Sequence, residues 1–349
     1  MNKKLIRTGL EALYFSGSHF ALRPLLGGVG AILTLHHVRP ARRDPFQPNR
    51  LLEVTPEFLE ATIVQMRRAK LDFVSLDEMH RRLVERCFWR RFVCFTFDDG
   101  YRDNFRYAYP ILQRHQVPFG LYIPTSFPDG SGELWWLALE AVIAGSDRVA
   151  LVMDGEERRF DCRTAEEKYE VYEALYWWLR GLPSERDLRR AVKDLCNRYR
   201  IDPFKFCRDL CMTWDELREL AADPLVTIGA HTVNHVMLRK SSDEEARAEM
   251  KMSASVIEAA LGTRPRHLSY PVGDATSAAG REFGMAAELG FSTAVTTRPG
   301  VLFPEHRDHL TALPRISLNG EFQRLRYVRV LLSGAGTAIN NRFRRVNAA

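Results

Sequence analysis

Residues 91–104 read RFVCFTFDDGYRDN. From Phe92 to Phe97 the side chains are apolar or aromatic apart from Thr96, the composition of a strand buried on both faces. Asp98 and Asp99 follow at once, then Gly100. Adjacent carboxylates raise each other's cost of ionisation, so a pair at the end of a buried strand needs solvent, a proton or a cation. A solvated turn meets that need, with Gly100 supplying a positive φ and Asp103 capping the next helix. A metal-and-water site meets it as well, and the rest of the chain decides between them.

Working outward, similar short runs recur: GAILTL (30–35), LDFVSL (71–76), PFGLYI (118–123), LVTIGA (225–230), HLSYPV (267–272), FSTAVT (291–296) and LPRISL (313–318). Most are followed by helical periodicity, and alternating strands and helices build a parallel sheet. Seven or eight such units predict an α/β fold, a closed or distorted (β/α) barrel of seven to eight strands. Ser242 and Glu245 form a capping box opening the helix that ends before Gly262, and Gly290 closes another.

One connection breaks the pattern. Residues 127–212 read as a mostly helical insertion with a charged hairpin-like piece near residues 150–162, since such a span is too long for a structureless loop. Trp135, Trp136, Trp177 and Trp178 either close its own small core or line a carbohydrate groove. The insertion is expected to tune substrate choice more than chemistry. The expected layout is an N-terminal amphipathic segment (1–28), a barrel domain (29–320) carrying the insertion, and a basic C-terminal tail (321–349).

Polar residues gather at strand ends. His36 and His37 follow the first run, Asp98 and Asp99 the third, and His231 and His235 follow VTIGA; Asp274 follows SYPVG, and Arg315 lies within the last run. In a parallel barrel all strands end on one face, so these distant residues can converge. One helical turn would put His231 and His235 on one side, as a metal needing two imidazoles requires. One aspartate can then ligate while the other accepts a proton from the attacking water. A non-haem iron oxygenase also uses two histidines and a carboxylate, but the adjacent aspartates and barrel-type strands favour hydrolysis.

TFDDG, HTVNH and YPVGD, in this order, resemble the polysaccharide deacetylase family, the group with the nodulation-type chitooligosaccharide deacetylase domain. The resemblance covers roughly residues 29–125 and 213–318. It implies a distorted (β/α) barrel and a divalent metal, commonly zinc, held by Asp99, His231 and His235, with Asp98 as base and the Tyr101 backbone N–H at the oxyanion. Pro271 and Gly273 of the third motif would support the substrate site. Two departures stand out. No Arg precedes Pro271, so Arg315 of LPRISL is the candidate to orient Asp98, its alternative being a structural pair with another carboxylate. No C-terminal Leu-x-x-His motif carries the general acid; His306 and His309 sit in a loop-like EHRDHL. LTLHHV is similar to the Leu-x-Tyr-His-x-Val stretch of members whose barrel starts at a different strand, which implies His36 as acid and His37 as structural.

The resemblance thus implies removal of N-acetyl groups from a polysaccharide, oligosaccharide or lipid-linked glycan. The alternatives are an amide hydrolase acting on a non-sugar substrate and a silent glycan-binding relative.

Composition bounds the rest. The 349 residues are 46% apolar, with 50 basic and 44 acidic side chains and a net charge of +6. That bias is too weak for a nucleic-acid partner and compatible with an anionic membrane or glycan. The six cysteines lack metal-type CxxC spacing and read as reduced, buried thiols. Arg7, Glu11 and His19 interrupt any signal-peptide core, so a cytoplasmic protein is expected, associated at most with the inner membrane surface. Leu5, Ile6, Leu10, Leu13 and Tyr14 share a helical face beside Lys3, Lys4 and Arg7, either packed on the domain or in peripheral membrane contact.

Overall fold

Seven of the apolar runs become strands of one closed parallel barrel in the computed structural model, which describes residues 3–338 and 341–347. They are β1 (Gly30–Leu35), β2 (Phe92–Phe97), β3 (Phe119–Ile123), β4 (Val226–Ala230), β5 (His267–Ser269), β6 (Thr293–Pro299) and β7 (Leu313–Ser317). Around the ring the order is β1–β7–β6–β5–β4–β3–β2, and β2 returns to β1 in register from Gly30↔Phe92 to Leu35↔Phe97. β1 and β2 are buried along their whole length, as strands covered on both faces must be.

LDFVSL does not supply an eighth barrel strand. It yields a two-residue strand, Asp72–Phe73, on the first residues of β2, while β3 takes the last three. The Ser75 hydroxyl accepts the Glu78 N–H at 3.1 Å and starts the helix Leu76–Glu85, which cuts the run short. That helix closes the strand-start end of the barrel: Leu76, Met79 and Leu83 pack with Ile32, Phe92, Tyr122 and Leu313. Gly120 leaves room for Leu76, whose Cδ1 would lie 2.5 Å from an added Cβ.

The predicted caps are present. Ser242 and Glu245 box the start of the helix Asp243–Leu261, and Gly262 ends it at φ 77°. The insertion contains the helices Trp135–Ala144, Ala165–Gly181 and Glu185–Tyr199 and an antiparallel hairpin, Arg148–Met153 with Glu156–Asp161. Its apolar cluster also takes in Phe46, Tyr101 and Met237 from the barrel loops, so the insertion shares a core with the catalytic end.

The expected tail is largely folded. Helix Leu325–Leu332 buries Tyr327, Val328, Val330 and Leu332. Ile6, Leu10, Leu13 and Tyr14 of the N-terminal helix Lys3–Phe15 pack on this region, while Leu5 stays exposed. Residues 1–2, 339–340 and 348–349 of the two terminal segments lie outside the described residues, as does the Lys3 side chain. Among the described residues no helix is long and apolar enough to cross a membrane.

Candidate active site

The β1–β2 register builds the first half of the site. The ladder continues one step past the strands, the Asp98 N–H donating to the Leu35 carbonyl at 3.0 Å, so residues 36 and 98 emerge side by side. Strand alternation puts Cys94 and Thr96 on the lumen face, and the same period brings Asp98 there. Asp99 then leaves the pattern with φ 70°, a left-handed conformation that few non-glycine residues adopt. The turn thereby sends two neighbouring carboxylates to different partners.

Asp98 meets Arg315 of β7. Nη1 donates to Oδ1 at 2.8 Å and Nη2 to Oδ2 at 2.6 Å, a bidentate pair buried on both sides. The fork is fixed in turn: Nε donates to the Thr296 carbonyl at 2.8 Å, Nη1 to Thr96 Oγ1 at 3.2 Å, and Nη2 to Ser269 Oγ at 3.0 Å. Ser269 also donates to Asp98 Oδ2 at 3.3 Å. Burial alone would raise the Asp98 carboxyl, but the guanidinium's charge and hydrogen bonds outweigh it and hold the carboxyl below its ordinary range.

Asp99 faces two imidazoles instead. Its Oδ1 lies 3.5 Å from His231 Nε2 and 3.3 Å from His235 Nε2, and the three ligand atoms fall within 4.8 Å of one another. His231 Nδ1–H donates to the Ser269 carbonyl at 2.6 Å, so its Nε2 lone pair points towards Asp99. Asp99 Oδ1 is buried and, among the described residues, accepts no hydrogen bond. Burial would raise this carboxyl too; when the facing His235 and His231 are protonated, their charge and hydrogen bonds hold it well below the carboxylate range. Two imidazole nitrogens and an orphaned carboxylate oxygen converging on one point are a donor set suited to a divalent cation, and zinc takes such ligands.

No helical turn joins the two histidines. Residues 231–237 form a loop in which Thr232 (φ 64°) and His235 (φ 55°) are left-handed, and this fold-back sets the rings 5.0 Å apart. Glu249 of helix Asp243–Leu261 holds the loop, accepting from the Val233 and Asn234 N–H groups at 2.8 and 2.9 Å and from Asn234 Nδ2 at 2.7 Å. The insertion closes over it: Trp136 lies 5.0 Å from the His235 ring, and Arg189 Nη2 donates to the Asn234 carbonyl at 2.6 Å. Trp135 and Trp136 are buried, Trp178 packs on the same core, and Trp177 is exposed, so the four tryptophans do not act alike.

His36 sits half-buried at this mouth. Burial draws its imidazole below the ordinary value, against the raising pull of Asp99 and Asp98. His37 turns away: Nδ1 bonds Asp103 Oδ2 at 2.6 Å, and the ring stacks on Tyr101 at 3.5 Å. Asp103 is thus a side-chain partner of His37, and its side chain does not cap the following helix. The Tyr101 backbone bridges Cys211 through the Met212 N–H and the Gly100 carbonyl, which leaves the Tyr101 N–H out of that bond.

Pro271 and Gly273 shape the turn after β5. The Gly273 N–H donates to the Pro271 carbonyl at 2.7 Å, and Gly273, at φ 70°, lies so close to β6 that an added Cβ would meet the Thr297 nitrogen at 2.7 Å. Asp274 pairs with Arg180 of the insertion at 2.9 Å. His306 is sealed in the 3-10 helix Pro304–Asp308, which contacts the helix closing the opposite end of the barrel.

Comparison with known proteins bears on the fold and on the family of part of the chain. The polysaccharide deacetylase family model matches residues 188–293, the stretch holding His231, His235, Pro271 and Gly273. No curated protein matches the chain. Among solved structures it is similar to the Streptococcus pyogenes deacetylase PplD in complex with acetate, with a TM-score of 0.55, 19% identity, and coverage of 83% of this chain and 92% of that one. IcaB from Ammonifex degensii gives a TM-score of 0.55 at 16% identity over 87% and 97%. A de-N-acetylase from Aggregatibacter actinomycetemcomitans gives 0.54 at 14% over 86% and 99%. At these identities the structures establish the shared barrel fold, and the family match supplies the sequence link. Residues 188–293 thus match the polysaccharide deacetylase family, and the chain around them has the barrel fold seen in these deacetylase structures.

Proposed function

We propose that the protein removes N-acetyl groups from an N-acetylated sugar of a polysaccharide, oligosaccharide or lipid-linked glycan, with a divalent cation, zinc by donor type, held by Asp99, His231 and His235. The observation that carries this reading is the division of labour between neighbouring carboxylates. Asp98 is committed to Arg315 and Ser269, whereas Asp99 Oδ1 has only the two imidazoles.

When bound, the cation supplies Lewis acidity towards the amide carbonyl and lowers the pKa of water. Asp98 accepts the proton of the attacking water as oxygen adds to the carbonyl carbon. Arg315 keeps Asp98 ionised and aimed, so the base is unprotonated at neutral pH. The Tyr101 N–H donates to the developing oxyanion. As the C–N bond breaks, His36 gives its proton to the nitrogen, and the products are acetate and a free amino sugar. The sugar moiety, and the carbohydrate as partner, are inferred from the polysaccharide deacetylase family that residues 188–293 match.

The test is an acetate-release screen over N-acetylated glycans, with bound metal measured on the same protein. Acetate release that disappears on chelation and returns with added zinc supports the reading. Release from non-sugar acetamides alone would replace it with an amide hydrolase of different substrate class.

A further inference from the structure

The end of the barrel opposite the active site carries a cavity lined by a cluster of arginines. A cavity of about 320 Å³ lies between the N-terminal helices and the helices Pro56–Arg68 and Leu325–Leu332. Arg23, Arg68, Arg91 and Arg329 line it with His19, and among the described residues no carboxylate does. None of the four arginines forms an ion pair with a carboxylate among the described residues. Arg91 spends its donors on carbonyls, those of Gly27 and Gly28 and, at 2.7 Å, that of Leu332. Among the described residues the Arg329 side chain donates only to the neutral Gln65. Burial and the charge of Arg23 push the Arg91 guanidinium down to about 10, a cost that a bound anion would relieve.

Beside this cavity lies an uncovered apolar helix. Ser18–Leu26, SHFALRPLL, buries none of its residues. Phe20, which also lines the cavity, is 73% exposed, and Leu25 is 67% exposed. In the helix before it, Leu5 and Phe15 are exposed as well. A soluble surface gains nothing from such a helix, whereas an interface that is apolar in depth and anionic at its surface matches both features. The adjoining cleft, which shares Leu71, adds Arg67 and Lys70 beside an Asp72 already paired with Arg82 and Arg90.

We propose that this end of the barrel docks on an anionic lipid bilayer, with Phe20 and Leu25 entering the interface and a lipid phosphate seated among Arg23, Arg68, Arg91 and Arg329. The cations select the surface, and the helix supplies the apolar contact that uncharged headgroups alone do not hold. The cavity opens where strands begin: Arg91 immediately precedes β2, and Gly27, whose carbonyl Arg91 binds, precedes β1. Strands of six residues place the catalytic end about 20 Å further along the barrel. Docking would therefore turn the catalytic mouth away from the bilayer, towards glycan that extends beyond the headgroup layer. The proposal does not depend on the catalytic reading.

Flotation of the full-length protein with vesicles tests it. Binding to phosphatidylcholine mixed with phosphatidylglycerol, absent with phosphatidylcholine alone and weakened by salt, is the expected result. At about fivefold per basic residue, Arg23→Glu should lower binding roughly tenfold or more. Phe20→Ser with Leu25→Ser should lower it without moving the melting temperature, since these side chains are already in water. Equal binding of wild type and both variants would overturn the proposal. So would thermal stabilisation by inorganic phosphate with no vesicle binding, which would make the cavity a soluble-anion site. Concentration-dependent self-association abolished by Phe20→Ser, again without vesicle binding, would assign the helix to a second copy of the chain.

Discussion

Arg315, near the middle of the last barrel strand, reaches Asp98 at the end of the second and holds both its carboxylate oxygens, at 2.8 and 2.6 Å. Both partners are buried, so neither charge has water to fall back on. Removing one leaves the other uncompensated, a loss of about 3–5 kcal/mol for a buried pair. Arg315→Ala should therefore destabilise the protein and also change its chemistry. Without the guanidinium, burial dominates and the Asp98 carboxyl rises above its ordinary value. The base must be ionised, so the acid limb of kcat/KM should move to higher pH in the variant. Arg315→Lys keeps the charge but loses the fork, and should recover stability better than activity. A variant with an unmoved acid limb would make Arg315 a structural residue only.

The same pair gives a stability prediction. The folded Asp98 carboxyl lies below its unfolded value, so its contribution is fully present above that value and lost as pH falls through the folded one. Asp98→Asn should flatten the acid side of the stability curve, below about pH 4, as followed by thermal melts. An unchanged curve would mean that the pair stabilises nothing.

His36 should set the opposite limb. Burial lowers its imidazole, and the acid works only when protonated, so kcat/KM should fall as pH rises through a value below about 6.5. His36→Ala should cost about 100-fold or more on acetamido sugars, erase that limb and keep the metal. Activity on an activated ester, whose leaving group needs no proton, should partly recover. The same losses in His37→Ala alone would reassign the acid.

The insertion is bound to the site more closely than its place in the chain suggests. Trp136 packs on the His235 ring, and Arg189 holds the loop between the two histidines. Trp136→Ala should cost about 3–5 kcal/mol as a buried aromatic and weaken metal binding with it. Replacing residues 127–212 by a short linker should abolish metal binding, since it bares the core around Tyr101. Metal content after dialysis decides this. Retention in the deletion variant would restore the view that the insertion governs substrate choice alone.

What could be read in advance, and what could not, follows from the range of each interaction. Asp98, Asp99, His231 and His235 stand at the ends of apolar runs, and strand ends share a face in any parallel barrel. Their convergence is a consequence of local pattern. Four-residue spacing suggested a helical turn for HTVNH, but the loop needs two left-handed residues and the long-range grip of Glu249, neither of which a spacing records. Ser269, which orients Arg315 through its hydroxyl and His231 through its carbonyl, lies inside HLSYPV and differs from its neighbours only in polarity. That buried serine was a usable signal. Trp136 offered none, because its contact with His235 depends on how an insertion folds back over the barrel.

The most direct test of the catalytic account pairs bound metal with acetate release in wild type, Asp99→Ala and Asp98→Asn, on one N-acetylated glycan. The account predicts that Asp99→Ala loses metal and activity together, whereas Asp98→Asn keeps its metal and loses activity by about 100-fold or more. Near-normal acetate release by Asp98→Asn, or full metal occupancy in Asp99→Ala, would contradict it.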